Sequence, residues 1–257
     1  MVRVMILKAP GINCDEEMHK AFRLAGAETQ EVLITSLIRD SSVIDSYDAL
    51  GVPGGFCYGD DLGAGKILAN QLRYKMYDRL HAFVDSGKPV IGVCNGFQIL
   101  VKAGILPGIT DSQDATLTFN DSGKFECRWI RVKNVNRGSC LWSRNLDTLE
   151  LPVAHGEGKF VPRDQSVLKQ LQDNNQIVFK YVDGQGSESG YPHNPNGSVA
   201  DIAGICNKKG NVLGMMPHPE RYLSSYNHPR WTRLKMPEEG LGLKIYRNAV
   251  EYAEEHK

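Results

Sequence analysis

Two rhythms of apolar and polar positions divide the chain. In the first half, Val2 to Lys8 is a nearly continuous apolar run, as expected of a strand buried on both faces, and Pro10-Gly11 ends it. After the loop Ile12-Asn13-Cys14, Asp15 is placed to N-cap a helix with Met18, Phe22 and Ala25 on one face and Gly26 as its stop. Glu28 to Ile34 and Ala49 to Val52 read as further strands, the second ending in Pro53-Gly54-Gly55. Leu68, Leu72, Met76, Leu80 and Phe83 predict one long helix closed by Ser86-Gly87, and Pro89 to Val93 is a fourth strand. Phe97, Ile99 and Leu100 then open another helix. Strands and helices alternating at these lengths predict parallel βαβ units covered on both faces.

The second half changes rhythm. Leu117–Phe119, Phe125–Val132, Thr148–Val153, Ile177–Val182, Val199–Cys206 and Val212–Met216 read as short strands. Turn signals such as Asn120-Asp121-Ser122-Gly123 separate them, which predicts antiparallel hairpins added to the parallel core. Asp183 to Ser198 reads as a long surface loop. Glu238 to Glu255 reads as a final helix with Leu241, Ile245, Ala249 and Tyr252 inward. No repeat, low-complexity tract or linker interrupts the pattern. The expectation is one α/β domain over residues 1–257, a mostly parallel central sheet flanked by helices with antiparallel strands in the second half.

Composition narrows the classes. Thirty basic and thirty acidic residues cancel, so no electrostatic footprint for nucleic acid or an anionic membrane is present. No apolar stretch approaches the roughly twenty residues needed to span a bilayer. The opening Met-Val-Arg-Val-Met-Ile-Leu runs straight into a strand pattern, which predicts no signal peptide. The six cysteines are scattered without a C-x-x-C pair, fitting neither a zinc site nor a disulfide framework. A reduced, cytoplasmic protein is expected.

The candidate chemistry centres on Gly92-Val93-Cys94-Asn95-Gly96. A strand delivers a cysteine to a tight corner between glycines, and a helix follows: the thiol form of a nucleophile elbow. The helix dipole beneath the sulfur favours negative charge there. A thiol nucleophile needs a base with an orienting partner. Two His-x-Glu pairs qualify, His218-Pro219-Glu220 and His155-Gly156-Glu157, since residues two apart in extended chain face the same way. Prolines on both sides stiffen His218, which favours it over His155. The backbone N–H of Asn95 and the Pro53-Gly54-Gly55-Phe56 turn are candidate oxyanion donors. Asp60-Asp61 lacks a third ligand and reads as a solvated loop or helix cap, so no metal is expected. Cys14 and Cys57 lack the elbow context and read as packing residues. Between Arg221 and Lys235 the chain carries Arg230, Arg233 and Trp231 but no acid, which fits a solvated loop or a partner-docking surface.

These motifs resemble those of class I (triad-type) glutamine amidotransferases, a flavodoxin-like family: Val93–Gln98 around the cysteine, Pro217–Arg221 around the histidine, and Pro53–Phe56. Ala9–Asp15, Gly54–Asp60, Leu117–Asn120 and Pro152–Gly158 are similar, more narrowly, to the separate glutaminase subunits of phosphoribosylformylglycinamidine synthases. The resemblance implies that Cys94, His218 and Glu220 are catalytic, and that Gly54, Gly55, Phe56, Asn95 and Gln98 serve the oxyanion or the substrate. His155 and Glu157 are then accessory. It implies L-glutamine as substrate, a thioester intermediate and ammonia as product. It further implies that ammonia passes to a large ATP-dependent synthase subunit, with a small third subunit. No phosphate-cradling Gly-x-x-x-x-Gly-Lys-Ser/Thr loop occurs, so ATP and Mg2+ are expected in the partner and no cofactor in this chain. Two departures stand out: Cys57 where a serine is expected, and a longer Ser224–Pro237 segment. The rival readings are a thiol hydrolase with another substrate and a catalytically silent binding subunit.

Overall fold

The computed structural model describes residues 1–108 and 113–256. The first half builds the parallel units its pattern predicts. β1 (Arg3–Lys8) leads to α1 (Asp15–Leu24), β2 (Glu28–Leu33), the short α2 (Ile34–Arg39) and β3 (Ala49–Val52). α3 (Lys66–Lys75) and α4 (Tyr77–Asp85) precede β4 (Val90–Val93) and α5 (Asn95–Lys102). The second half supplies β5 (Ala115–Thr118), β6 (Glu126–Asn134), β7 (Thr148–His155), β8 (Lys159–Pro162) and α6 (Gln165–Asp173). β9 (Ile177–Val182), β10 (Ile202–Cys206), β11 (Val212–Met215) and α7 (Leu243–Glu255) complete the described elements.

Nine strands form one sheet in the order β2-β1-β3-β4-β11-β10-β9-β6-β7, and β5 pairs with β8 apart from it. The neighbours from β2 to β11 run parallel and those from β11 to β7 antiparallel. This is the predicted architecture. β4 and β11 lie side by side with Val93 opposite Met215, so residues just past their C-terminal ends emerge together. Open α/β sheets place their sites at such ends.

Several local expectations change. The helix predicted through Leu68–Phe83 breaks at Met76 (φ −127°, ψ 4°). Met76 is buried, so the apolar rhythm runs on across a break it does not register. The final helix starts at Leu243 rather than Glu238. Upstream, the Gly240 and Gly242 N–H groups donate to Leu223 O and Tyr222 O, both at 3.0 Å, and Leu241 is 37% exposed rather than buried. A Cβ on Gly242 would lie 2.0 Å from Pro219 O, so this strap packs backbone to backbone on the turn after β11. Cys14, not Asp15, is the N-cap residue of α1, and Asp15 instead pairs with Lys8. The Asp183–Ser198 loop is irregular as expected, but Asn194, Asn196 and Ser198 are buried, with Asn196 Nδ2 donating to Tyr181 Oη at 3.1 Å. β10 begins only at Ile202, after a 3-10 turn. No helix among the described residues is long and apolar enough to cross a membrane.

Candidate active site

The elbow depends on close backbone approach. Cys94 leaves β4 at φ 53°, ψ −108°, a region costly for a residue with a side chain, and α5 starts at the next residue. A Cβ on Gly96 would stand 1.9 Å from Val52 O, so only glycine lets the first turn of α5 lie on the end of β3. Cys94 N–H donates to Met215 O at 2.8 Å, tying the corner to β11. As the first residue of α5, Asn95 has a backbone N–H with no helical acceptor. Its side chain is a brace: Oδ1 accepts from Cys57 N–H at 3.1 Å, and Nδ2 donates to Asp60 Oδ1 (3.1 Å) and Gln98 Oε1 (2.9 Å).

His218 lies beyond β11, its N–H donating to Pro152 O of β7 at 2.9 Å. Its Nδ1 is 2.5 Å from Glu220 Oε1, and both side chains are buried. Nδ1–H donates to the carboxylate, which leaves Nε2 as the working nitrogen; it has no hydrogen-bond partner among the described residues. A Cβ on Gly54 would lie 3.0 Å from His218 Cε1, 3.2 Å from Cys14 Sγ and 3.4 Å from Cys94 Cβ. The bare glycine lets imidazole and elbow meet. Burial works against the His218 imidazolium, but the charges of Glu220 and Cys94 outweigh it and hold the group well above its usual value.

His155 carries the same His-x-Glu spelling in a different setting. Asn120 Nδ2 donates to Lys124 O (2.9 Å) and His155 O (2.8 Å). Its Oδ1 therefore accepts from Gly158 N–H at 2.9 Å and from His155 Nδ1–H at 3.2 Å. Burial, then the neighbouring His218 charge, push His155 down to about 3, so it is neutral and too weak a base for a thiol. Glu157 turns away, its carboxylate accepting from Ala64 N–H at 3.2 Å and lying 3.9 Å from Lys102 Nζ.

Gly55 pairs with Ile12 in an antiparallel bridge. On either side Asn13 N–H donates to Gly54 O (3.3 Å) and Phe56 N–H to Gly11 O (2.9 Å). The Phe56 amide is thus committed and offers no oxyanion donor; its ring is what reaches the site. The alternation of pairing directs Gly55 N–H away from Ile12, on the side where Gly55 lines a cavity of about 140 Å3. Cys94, Gln98, His155 and Glu157 also line it, with Phe56, Phe119 and Phe125 exposed around it. Asp60, read from sequence as part of a solvated loop or a helix cap, lines the same cavity, and burial raises its carboxyl. Cys57 is buried, and burial pushes its thiol up to about 12, out of contention as a nucleophile.

Cys14, His218 and Glu220 bring donor atoms within 4.8 Å of one another, the only such metal-ligating group among the described residues. Arg221 Nη2 donates to Cys14 Sγ at 3.0 Å, so a guanidinium already supplies the positive charge beside that sulfur. Cys14 reads from the sequence as a packing residue and Arg221 as the end of the Pro217–Arg221 motif, and the sequence assigns neither a role in the site. Their contact joins positions 207 apart, and no spacing rule reaches that far.

A thiol elbow beside a histidine–glutamate pair, at the carboxyl ends of two parallel strands, fits the site of a triad-type amidotransferase. Residues 1–253 match the CobB/CobQ-like glutamine amidotransferase domain, and the chain belongs to this family. The phosphoribosylformylglycinamidine synthase subunit PurQ of Dehalococcoides mccartyi is 47% identical over 254 residues, covering 98% of each chain. PurQ of Methanococcus maripaludis is 39% identical, covering 97% of each. Among solved structures, a chain of PurLQS from Thermotoga maritima superposes with a TM-score of 0.73 at 29% identity, covering 98% of this chain and 99% of that one. Within the family, the chain is similar over nearly its whole length to PurQ subunits of phosphoribosylformylglycinamidine synthases.

Proposed function

We propose that the chain, as a single domain over residues 1–257, is the glutaminase of this synthase, with Cys94 as nucleophile, His218 as base and Glu220 as its orienter. The observation that carries the reading is the 2.5 Å His218–Glu220 contact, which leaves Nε2 unpartnered beside the strained Cys94 corner. The thiol proton passes to Nε2 as sulfur attacks the side-chain amide carbon of glutamine. The backbone N–H groups of Asn95 and Gly55 receive the developing oxyanion. The carbon–nitrogen bond then breaks, and Nε2 returns its proton to the leaving nitrogen, which departs as ammonia. Water adds to the thioester and gives a proton to Nε2; the carbon–sulfur bond breaks, the sulfur is reprotonated, and glutamate leaves. Gln98, fixed by Asn95 Nδ2 and by Glu157 O, contacts the substrate at the cavity wall.

Ammonia passes to a large ATP-dependent synthase subunit in the cytoplasm, assisted by a small third subunit. There, with Mg2+ and ATP held by the partner, formylglycinamide ribonucleotide becomes the amidine of purine synthesis. Cys94→Ala tests the reading in the assembled complex. Glutamine-dependent amidine synthesis is expected to vanish while ammonia-dependent synthesis continues. Persistence of the glutamine reaction removes Cys94 as nucleophile.

A further inference from the structure

Cys14 is buried next to the reacting groups but does not line the cavity, and the reaction above leaves it unused. It joins three parts of the site. Its Sγ accepts from Arg221 Nη2 at 3.0 Å, and Arg221 closes the short 3-10 turn Pro219–Arg221 that carries Glu220. Its backbone N–H donates to Gly54 O at 3.2 Å, beside the Asn13 N–H on the same oxygen. Its own carbonyl accepts from Met18 N–H at 3.2 Å, anchoring both contacts to the first turn of α1. A second link follows the same path, with Arg221 Nε 3.9 Å from Glu17 Oε1 of α1.

The geometry has a directional consequence. A trans peptide holds its C=O and the following N–H antiparallel. With Gly54 O tied down by residues 13 and 14, the Gly55 N–H is aimed to the opposite side, where Gly55 lines the cavity. One residue therefore grips the oxyanion strand through its backbone and the base-bearing turn through its sulfur. We propose that Cys14 and Arg221 form a clamp that sets the alignment of His218 and Glu220 with the oxyanion donor, both acting as positioning residues for thioester formation. The proposal rests on Cys94 being the nucleophile and His218 its base. A thiol suits the place: its sulfur accepts from the guanidinium at 3.0 Å while its S–H donates to Asn13 Oδ1 at 3.4 Å. Misplacement by a fraction of an ångström affects the chemical step far more than ground-state binding.

The test is a double-mutant cycle on the full chain, reading kcat and KM for glutamine hydrolysis, with ammonia-dependent synthesis by the complex as a control. Cys14→Ala and Arg221→Ala are each expected to lower kcat by about 10- to 100-fold and leave KM within about twofold. The double variant is expected to be no worse than either single, because each acts through the other. Cys14→Ser and Arg221→Lys, which keep an acceptor or a charge, are expected to recover part of kcat, and they carry the test if the alanine variants fail to fold. Wild-type kcat in folded Cys14→Ala, or losses that multiply in the double variant, overturns the clamp. A Cys94→Ala chain that still hydrolyses glutamine overturns the underlying functional reading instead. An inert Cys94→Ala chain beside an unaffected Cys14→Ala chain removes the clamp alone.

Discussion

At the scale of single residues, two histidines with identical local spelling end in opposite electrostatic states. His218 has a carboxylate 2.5 Å from Nδ1 and is held toward its charged form. His155 has only an amide oxygen on Nδ1, and burial with a nearby imidazolium keeps it neutral. The difference lies in what Asn120 and Glu157 do, which the His-x-Glu pattern does not encode. It also fixes what substitution will do. Glu220→Gln replaces an acceptor with an amide and removes the charge that supports the imidazolium. Its kcat for glutamine hydrolysis is expected to fall by roughly 10²- to 10⁴-fold with little change in KM, as when a triad orienter loses its charge elsewhere. His155→Gln is expected to lose far less than His218→Ala in the same assay. Equal losses would mean that both imidazoles carry protons.

At the scale of elements, the elbow is the feature most legible beforehand. Apolar Val90–Val93, the flanking glycines and the helical pattern after Cys94 all require the same strand–corner–helix path. The reason for Gly96 becomes visible only in three dimensions: β3 passes directly beneath it. Gly96→Ala forces a Cβ to within 1.9 Å of Val52 O, so α5 or β3 has to shift. Overpacking of this kind costs about 1–3 kcal/mol, read as a lowered urea midpoint, and glutaminase activity is expected to drop with it. An unchanged midpoint would show that the contact relaxes freely. The elements outside the predicted pattern carry sequence signals of mixed quality. α6 was announced by Asp164, whose side chain accepts from Val167 N–H at 3.0 Å as an ordinary N-cap. The break at Met76 was not announced at all, because a buried methionine satisfies both helices.

At the scale of the whole molecule, the two histidines shape stability against pH. His155 is depressed to about 3 in the folded state, so below about 6.5 the unfolded chain takes up a proton that the folded one refuses. Stability therefore falls as pH drops through that window, by about 1–2 kcal/mol between pH 6.5 and 5. His218 is raised, so its contribution is complete below about 6.5 and is lost as pH climbs through its folded value. A maximum near pH 6.5 is expected for these two groups together. Urea midpoints at pH 5 and 6.5 check it: His155→Gln should flatten the acid side, and an unaltered slope would mean that His155 is not the group responsible. The Ser224–Pro237 segment is anchored at this scale too. Arg230 Nη2 donates to Glu150 Oε1 at 3.0 Å, and His228 packs against Trp129, while Tyr226 and Trp231 stay exposed.

The sequence by itself determined the alternation of strands and helices in the first half, the change from parallel to antiparallel pairing and the Cys94 corner. Each rests on local periodicity or on glycine and proline geometry, which act over a few residues. Its motifs also named the family, which the family match and the PurQ relatives bear out. The tertiary structure decided what depends on atoms brought together from far apart. It set a carboxylate on His218 Nδ1 and only an amide oxygen on His155 Nδ1, committed the Phe56 amide to Gly11, and placed Gly55 on the cavity wall. It also joined Cys14 to Arg221, 207 positions apart. Burial and charge at a site are sums over neighbours, and only the fold chooses the neighbours.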